Sequence, residues 1–182
     1  MKDLSLHVMD LLQNSTVVDS SIITLDIKDS IKENIFKFTI TDDGRGMSKE
    51  FLSKVTDPYS TTRTTRKVGL GLPLIKMNSE HCGGGFEIES TLGKGTTLTF
   101  WFEHNHLDRP PMGDLAGVFV LTIAQNEEIR FKLTYQTDVD TFEFDTLEVK
   151  EALDGMSLNN MDIIKMLREM IEENLKEIKA ND

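Results

Sequence analysis

Apolar and polar positions alternate over residues 22–28 (I-I-T-L-D-I-K) and 35–41 (I-F-K-F-T-I-T). This period of two is that of strands with one buried face, and the link D-S-I-K-E-N between them suits a hairpin. Ahead of them, residues 3–16 set Leu4, Val8 and Leu11 at helical spacing, with Asp3 as cap or first-turn acid. After them, Ser48 starts a short helix, S-K-E-F-L-S-K-V, although Phe51 stands where a capping box wants Glu or Gln. A long helix is expected at about 70–82, with Pro73 in its first turn and Gly83-Gly84-Gly85 as its stop. F-E-I-E-S and T-T-L-T-F-W-F predict two further strands, joined by T-L-G-K-G.

The pattern breaks at H-N-H-L-D-R-P-P-M-G-D, where adjacent prolines mark a boundary or a rigid corner. Beyond it, 114–124 reads as a helix capped by Asp114. A buried strand is the alternative, because V-F-V-L-T-I is rich in β-formers. Residues 129–136 and 141–146 predict a hairpin around T-D-V-D. Residues 160–179 predict a helix with Ile163, Met166, Leu167, Met170, Ile171, Leu175 and Ile178 on one stripe. That stripe either packs on the 129–146 hairpin or makes a homodimer. The expected division is 1–104 and an acidic α+β extension, 105–182.

Charge narrows the partners. The formal net charge is −11, of which −2 falls on residues 1–103 and −9 on 104–182. An acidic surface repels phosphate backbones and anionic lipids, so neither nucleic acid nor a membrane is expected as a partner. The single cysteine, Cys82, permits no internal disulfide. With no long apolar span and no signal-peptide core in M-K-D-L-S-L-H, the expected location is the cytoplasm. A hydrophobic share of 38% is enough for a core.

Four constellations could carry chemistry. Asp10 and Asn14 are four residues apart, so they share one face of the first helix. An amide oxygen can ligate Mg²⁺ while a carboxylate orients water; a solvated polar face is the other reading. In I-T-D-D-G-R-G-M, Asp42 ends a strand, where it could accept from an exocyclic amine such as adenine's. Gly44 and Gly46 would allow close approach, and a surface turn is the alternative. Gly69-Leu70-Gly71-Leu72 opens the second long helix, whose N-terminal amides suit phosphate. Just upstream, S-T-T-R-T-T-R-K offers Thr61, Thr62, Arg63, Arg66 and Lys67 to a triphosphate, unless it is merely an exposed basic loop.

The order of these pieces, D-x-x-x-N, D-x-G-x-G, a hydroxyl-rich basic loop, G-L-G-L and then G-K-G-T, resembles the GHKL ATPase superfamily over about residues 1–103. That superfamily holds histidine kinases, heat-shock chaperones, type II topoisomerases, mismatch-repair proteins and small anti-sigma serine kinases. The whole chain, with D-R-P-P-M-G-D, also resembles small stand-alone ATP-binding proteins of anaerobic bacteria, some encoded near iron-hydrogenase genes. The resemblance implies a two-layer α/β sandwich that binds ATP and Mg²⁺. It implies Asp42 as the reader of adenine's amine, Gly44, Gly46 and Met47 as the wall of the base pocket, and Asn14 as the metal ligand. It implies 57–68 as the ATP lid, Gly69 and Gly71 as phosphate-facing glycines, and Thr96 near the base.

Two departures shape the functional expectation. Asp10 stands where hydrolysing members have Glu, one methylene longer. The chain also begins at the first ATP-domain helix, with no hairpin ahead of it to carry a phosphoacceptor histidine. His7 is expected to be a helix-face or hydrogen-bonding histidine, and His81, His104 and His106 lack metal-ligand spacing. The expectation is a regulatory module in signal transduction, with an unidentified protein partner or phosphoacceptor. It would act as a kinase in trans, or else as a nucleotide-switched binding protein or slow ATPase.

Overall fold

The computed structural model describes residues 3–55 and 71–180. The first alternating runs form β1 (Ile22–Ser30) and β2 (Ile35–Asp42), an antiparallel hairpin with Ile23 opposite Asp42 and Ser30 opposite Ile35. Phe36, Phe38 and Ile40 are buried, while Lys37, Thr39 and Thr41 face the other way. Two later strands, β3 (Gly85–Thr91) and β4 (Gly95–Glu103), complete an antiparallel order in which β4 lies against β2. Register sets Phe38 opposite Phe100, and their rings stack at 4.8 Å. On the open face, the Thr39 and Thr99 hydroxyls bond at 3.3 Å and those of Thr41 and Thr97 at 3.4 Å.

Helix α1 (Leu4–Thr16) starts at Asp3, whose carboxylate accepts from the Leu6 amide at 3.1 Å. Leu4, Val8, Leu11 and Leu12 are buried on its sheet side. The Ser48 hydroxyl accepts from the Phe51 amide at 3.2 Å and caps α2 (Lys49–Val55) as expected. Helix α3 (Gly71–His81) carries Pro73 in its first turn, where the ring blocks no hydrogen bond.

Beyond β4 the chain turns at Pro111 and Met112, whose carbonyls accept from the Leu4 and Ser5 amides at 2.9 and 2.7 Å. The double-proline stretch is therefore a corner bonded to the start of α1. Residues 115–125 form helix α4, not the alternative strand; Asp114 caps it by accepting from the Gly117 amide at 2.9 Å. The predicted hairpin forms as β5 (Arg130–Gln136) and β6 (Thr141–Asp145), with 137–140 as its turn. A short helix that the alternation does not reveal, α5 (Thr146–Ala152), follows at once, capped by Asp145. The last helix, α6, runs Met161–Ala180.

β5 pairs in parallel with β1, Ile22 opposite Arg130 through Lys28 opposite Gln136, so the sheet order is β3-β4-β2-β1-β5-β6. Helices α3, α1, α4 and α6 line up as neighbours on the buried face, over one continuous hydrophobic core. Phe119 of α4 meets Phe131 and Phe144 edge-on at 6.1 and 5.9 Å. The chain beyond residue 104 thus continues the same sheet and core. Of the stripe predicted on α6, Ile163, Leu167, Ile171, Leu175 and Ile178 are buried, but Met166 is 46% exposed. Met166 lies off the tighter five-residue line that faces α4 and β6. No helix among the described residues is long and apolar enough to cross a membrane.

Candidate functional site

Along the buried face, β2 runs Phe36, Phe38, Ile40 and then Asp42, and β4 runs Phe102, Phe100, Leu98 and then Thr96. At one end of the sheet the core row therefore turns polar. Asp42 and Thr96 are opposite each other, with Ser90 of β3 opposite Thr96 on the far side. Over this end lies a cavity of about 920 Å³, within the size range of small-molecule sites. Leu11, Ile40, Leu72, Ile88 and Leu98 line it, and Val17, Phe51 and Leu92 form an exposed apolar rim.

Asp42 is 7% exposed, and two neutral donors hold it. The Ser15 hydroxyl donates to Oδ2 at 2.9 Å and the Gly44 amide to Oδ1 at 3.0 Å. A carboxylate has about four lone-pair sites, so capacity to accept remains after these two bonds. That fits the exocyclic amine of a base. Sequence reasoning had no sign of Ser15, because its contact with Asp42 crosses 27 residues.

The loop after Asp42 docks on the β3–β4 turn. The Met47 amide donates to Ser90 Oγ at 2.8 Å and the Gly93 amide to the Arg45 carbonyl at 2.7 Å. Gly46 has φ +64°, and a Cβ there would lie 2.1 Å from the Thr91 carbonyl oxygen. A side chain would lift the loop off the turn. Gly95, at φ +106°, leaves equally little room against the Asp42 carbonyl, 1.9 Å from such a Cβ. Gly46 and Met47 line the cavity. Gly44 does not: its bare face meets Val18 and Ser20, where a Cβ would come within 2.6 and 2.8 Å. Its smallness serves the seating of the α1–β1 connection rather than the approach of a ligand. Asp43 anchors that same connection, accepting from the Ser21 and Ile22 amides at 2.7 and 2.9 Å.

Asn14 lines the cavity, exposed to it from α1. Asp10, one turn earlier, reaches α3 instead: a Cβ on Gly71 would lie 1.8 Å from Asp10 Oδ2. Only a glycine at the head of α3 leaves room for that carboxylate. Thr61, Thr62, Arg63, Arg66, Lys67, Gly69 and Leu70, with the rest of the predicted lid, lie outside the described residues. His7 is 1% exposed. It shares a 3.4 Å contact between Nε2 and the Asn78 amide nitrogen, and its Nδ1 has no hydrogen-bond partner among the described residues. Burial pushes its pKa down, with Asp10 and Asp3 acting in the opposite sense.

The site fits the groups expected of it. Asp42 and Thr96 would hold a base, Asn14 would hold Mg²⁺, and the metal would supply charge neutralisation for phosphate oxygens.

Comparisons with known proteins bear on the family and the fold. The profile described as histidine kinase-, DNA gyrase B- and HSP90-like ATPase matches residues 2–106. The sensor histidine kinase ZraS of Escherichia coli is 35% identical over 77 residues, covering 42% of this chain and 16% of that protein. A putative sensor protein of Shewanella frigidimarina is 36% identical over 100 residues, 52% of this chain and 15% of its own length. The chain thus matches only a small part of these relatives. Among solved structures, the N-terminal domain of a DNA repair protein aligns with TM-score 0.56 and 16% identity, over 79% of this chain and 52% of that one. The Aquifex aeolicus MutL ATPase domain complexed with ADP aligns with TM-score 0.51 and 16% identity, over 85% and 70%. These two share the fold. The profile match spans more than half of the chain, which therefore belongs to the histidine kinase-, DNA gyrase B- and HSP90-like ATPase family, a membership that implies ATP binding.

Proposed function

We propose that this protein is an ATP- and Mg²⁺-dependent regulatory module acting on a protein partner. The observation that carries the reading is Asp42, buried and held by small donors, facing a cavity large enough for a nucleoside. Asp42 takes the base, Met47, Thr96 and Leu72 shape its pocket, and Asn14 holds the metal beside the phosphates.

Phosphoryl transfer to a partner protein is the form of action we favour over simple switching. Asp10 supports it, because its carboxylate lies at the head of α3 and one helical turn from Asn14. In this reading Asp10 would orient an attacking hydroxyl. The acidic surface of residues 104–182 suits a basic partner.

The test has two stages. Titration with ATP, with and without Mg²⁺, should show tighter binding with the metal, and Asn14→Ala should erase the difference. Incubation with γ-labelled ATP and host proteins then separates the activities. Label on a partner, lost in Asp10→Ala, supports transfer. Free phosphate alone means an ATPase, and intact retained ATP means a binding switch.

A further inference from the structure

Ser90, Thr96 and Asp42 stand in one row across β3, β4 and β2, and their protons can be counted. Ser90 Oγ accepts from the Met47 amide at 2.8 Å, donates to the Gly95 carbonyl at 3.0 Å and meets Thr96 Oγ1 at 2.9 Å. A serine hydroxyl has one proton and two lone pairs. The proton goes to Gly95 and one lone pair to Met47. The third contact is then a hydrogen bond only if Thr96 donates. Thr96 has a single proton too, so what it turns to the cavity is lone pairs. Asp42 has the same polarity, since Ser15 and Gly44 both donate to it. The floor under the base is therefore made of acceptors.

We propose that Ser90, which contacts the base only through Thr96, is a specificity-determining positioning residue. By holding Thr96 as an acceptor, it selects a base with an exocyclic amino group over one with a carbonyl at the same place. The proposal rests on the nucleotide reading above. An amino group brings donors to this floor. A carbonyl oxygen brings none and meets lone pairs from both side chains, so it loses its hydration without replacement. Take away the Ser90 hydroxyl and Thr96 is free to turn its proton toward a carbonyl.

ATP and inosine triphosphate share sugar and phosphates and differ in the group at C6 and in the proton that inosine carries on N1. That proton is the same for every variant, so the change in their affinity ratio between variants of the full chain reads the effect. The expected wild-type preference for ATP is about hundredfold, and Ser90→Ala should shrink it at least about tenfold, chiefly by gaining affinity for the inosine nucleotide. A merely structural role would weaken both nucleotides alike and leave the ratio alone. Thr96→Val, near in shape, should also shrink the ratio, by losing ATP affinity; it decides the matter if Ser90→Ala does not fold. An unchanged ratio in Ser90→Ala, or in Thr96→Val where it alone folds, overturns the role of Ser90 while ATP binding by the wild type keeps the nucleotide reading. A wild type that binds neither nucleotide overturns both.

Discussion

The two ends of the central sheet each carry a strand-borne carboxylate, and they have become different things. Asp42 closes β2, and Asp29 lies near the end of β1, about 20 Å from it at roughly 3.3 Å per residue. Each has a donor on each oxygen. For Asp42 the donors are a serine hydroxyl and a backbone amide, which fix the group without filling the space before it. For Asp29 they are rings. His104 Nε2 meets Oδ1 at 2.8 Å, and the Tyr135 hydroxyl donates to Oδ2 at 2.6 Å. The Lys179 ammonium lies 4.8 Å from the centre of the Tyr135 ring, and burial pushes its pKa down. Arg109 covers Phe36 and donates to the His104 carbonyl at 2.7 Å. Those groups come from β4's end, the corner, β5 and α6, so Asp29 ties the chain beyond β4 to the first sheet hairpin. A carboxylate held by small neutral donors stays available to a ligand, whereas one enclosed by rings and cations becomes a fastening.

Exchange of function between the ends is the way to break this comparison. The largest effect is expected at Asp42. Asp42→Asn keeps the shape and one acceptor for Gly44, but should cost at least about hundredfold in ATP affinity, roughly 2.7 kcal/mol. Thermal melting should stay near the parent's. Titration showing unchanged affinity would remove Asp42 from the base site.

At the other end the effect should fall on stability. Tyr135→Phe leaves one oxygen of a half-buried carboxylate without its donor, at a cost of about 1.5–3 kcal/mol. Urea unfolding measures the loss, and ATP affinity should not change. If nucleotide binding weakened instead, the two ends would be coupled and the contrast would fail.

The smallest expected effect sharpens a third place, the α1–α3 contact under the site. Burial holds the His7 pKa below 6.5 in the folded protein. The unfolded chain therefore binds more protons as pH falls below about 6.5, and stability declines until the folded pKa is passed. His7→Leu should flatten the stability profile in that window. An unaltered slope between neutral pH and about pH 5 would show that His7 takes up its proton without unfolding.

Most elements were legible because their signals are local. Alternation on 22–28 and 35–41, the Asp3 and Ser48 caps and the glycines after α3 act within a few residues of themselves. Asp42, Gly46 and Asn14 were legible as candidates through their spacing and Thr96 through the family resemblance, and the fold brings them to one cavity. Ser15 and Ser90 were not, because a lone serine carries no pattern and their partners lie 27 and 43 residues away. The bare face of Gly44 likewise turned out to be occupied by Val18 and Ser20, which spacing alone could not reveal.

Sequence alone determined most of the helices and strands and where the chain turns, since hydrophobic period and capping are properties of neighbours; α4 against a strand, and α5 altogether, were left to the structure. It also marked the end of β2 as the place for chemistry. Tertiary structure decided that β5 lies parallel to β1, that the acidic segment 104–182 shares one core with the rest, and that Asp29 is consumed by Tyr135 and His104. Strand pairing and side-chain closure join residues up to 108 positions apart. No local pattern encodes such a pairing, because any exposed strand edge offers the same amides and carbonyls, and only the packing of α4 and α6 over the added strands singles out one.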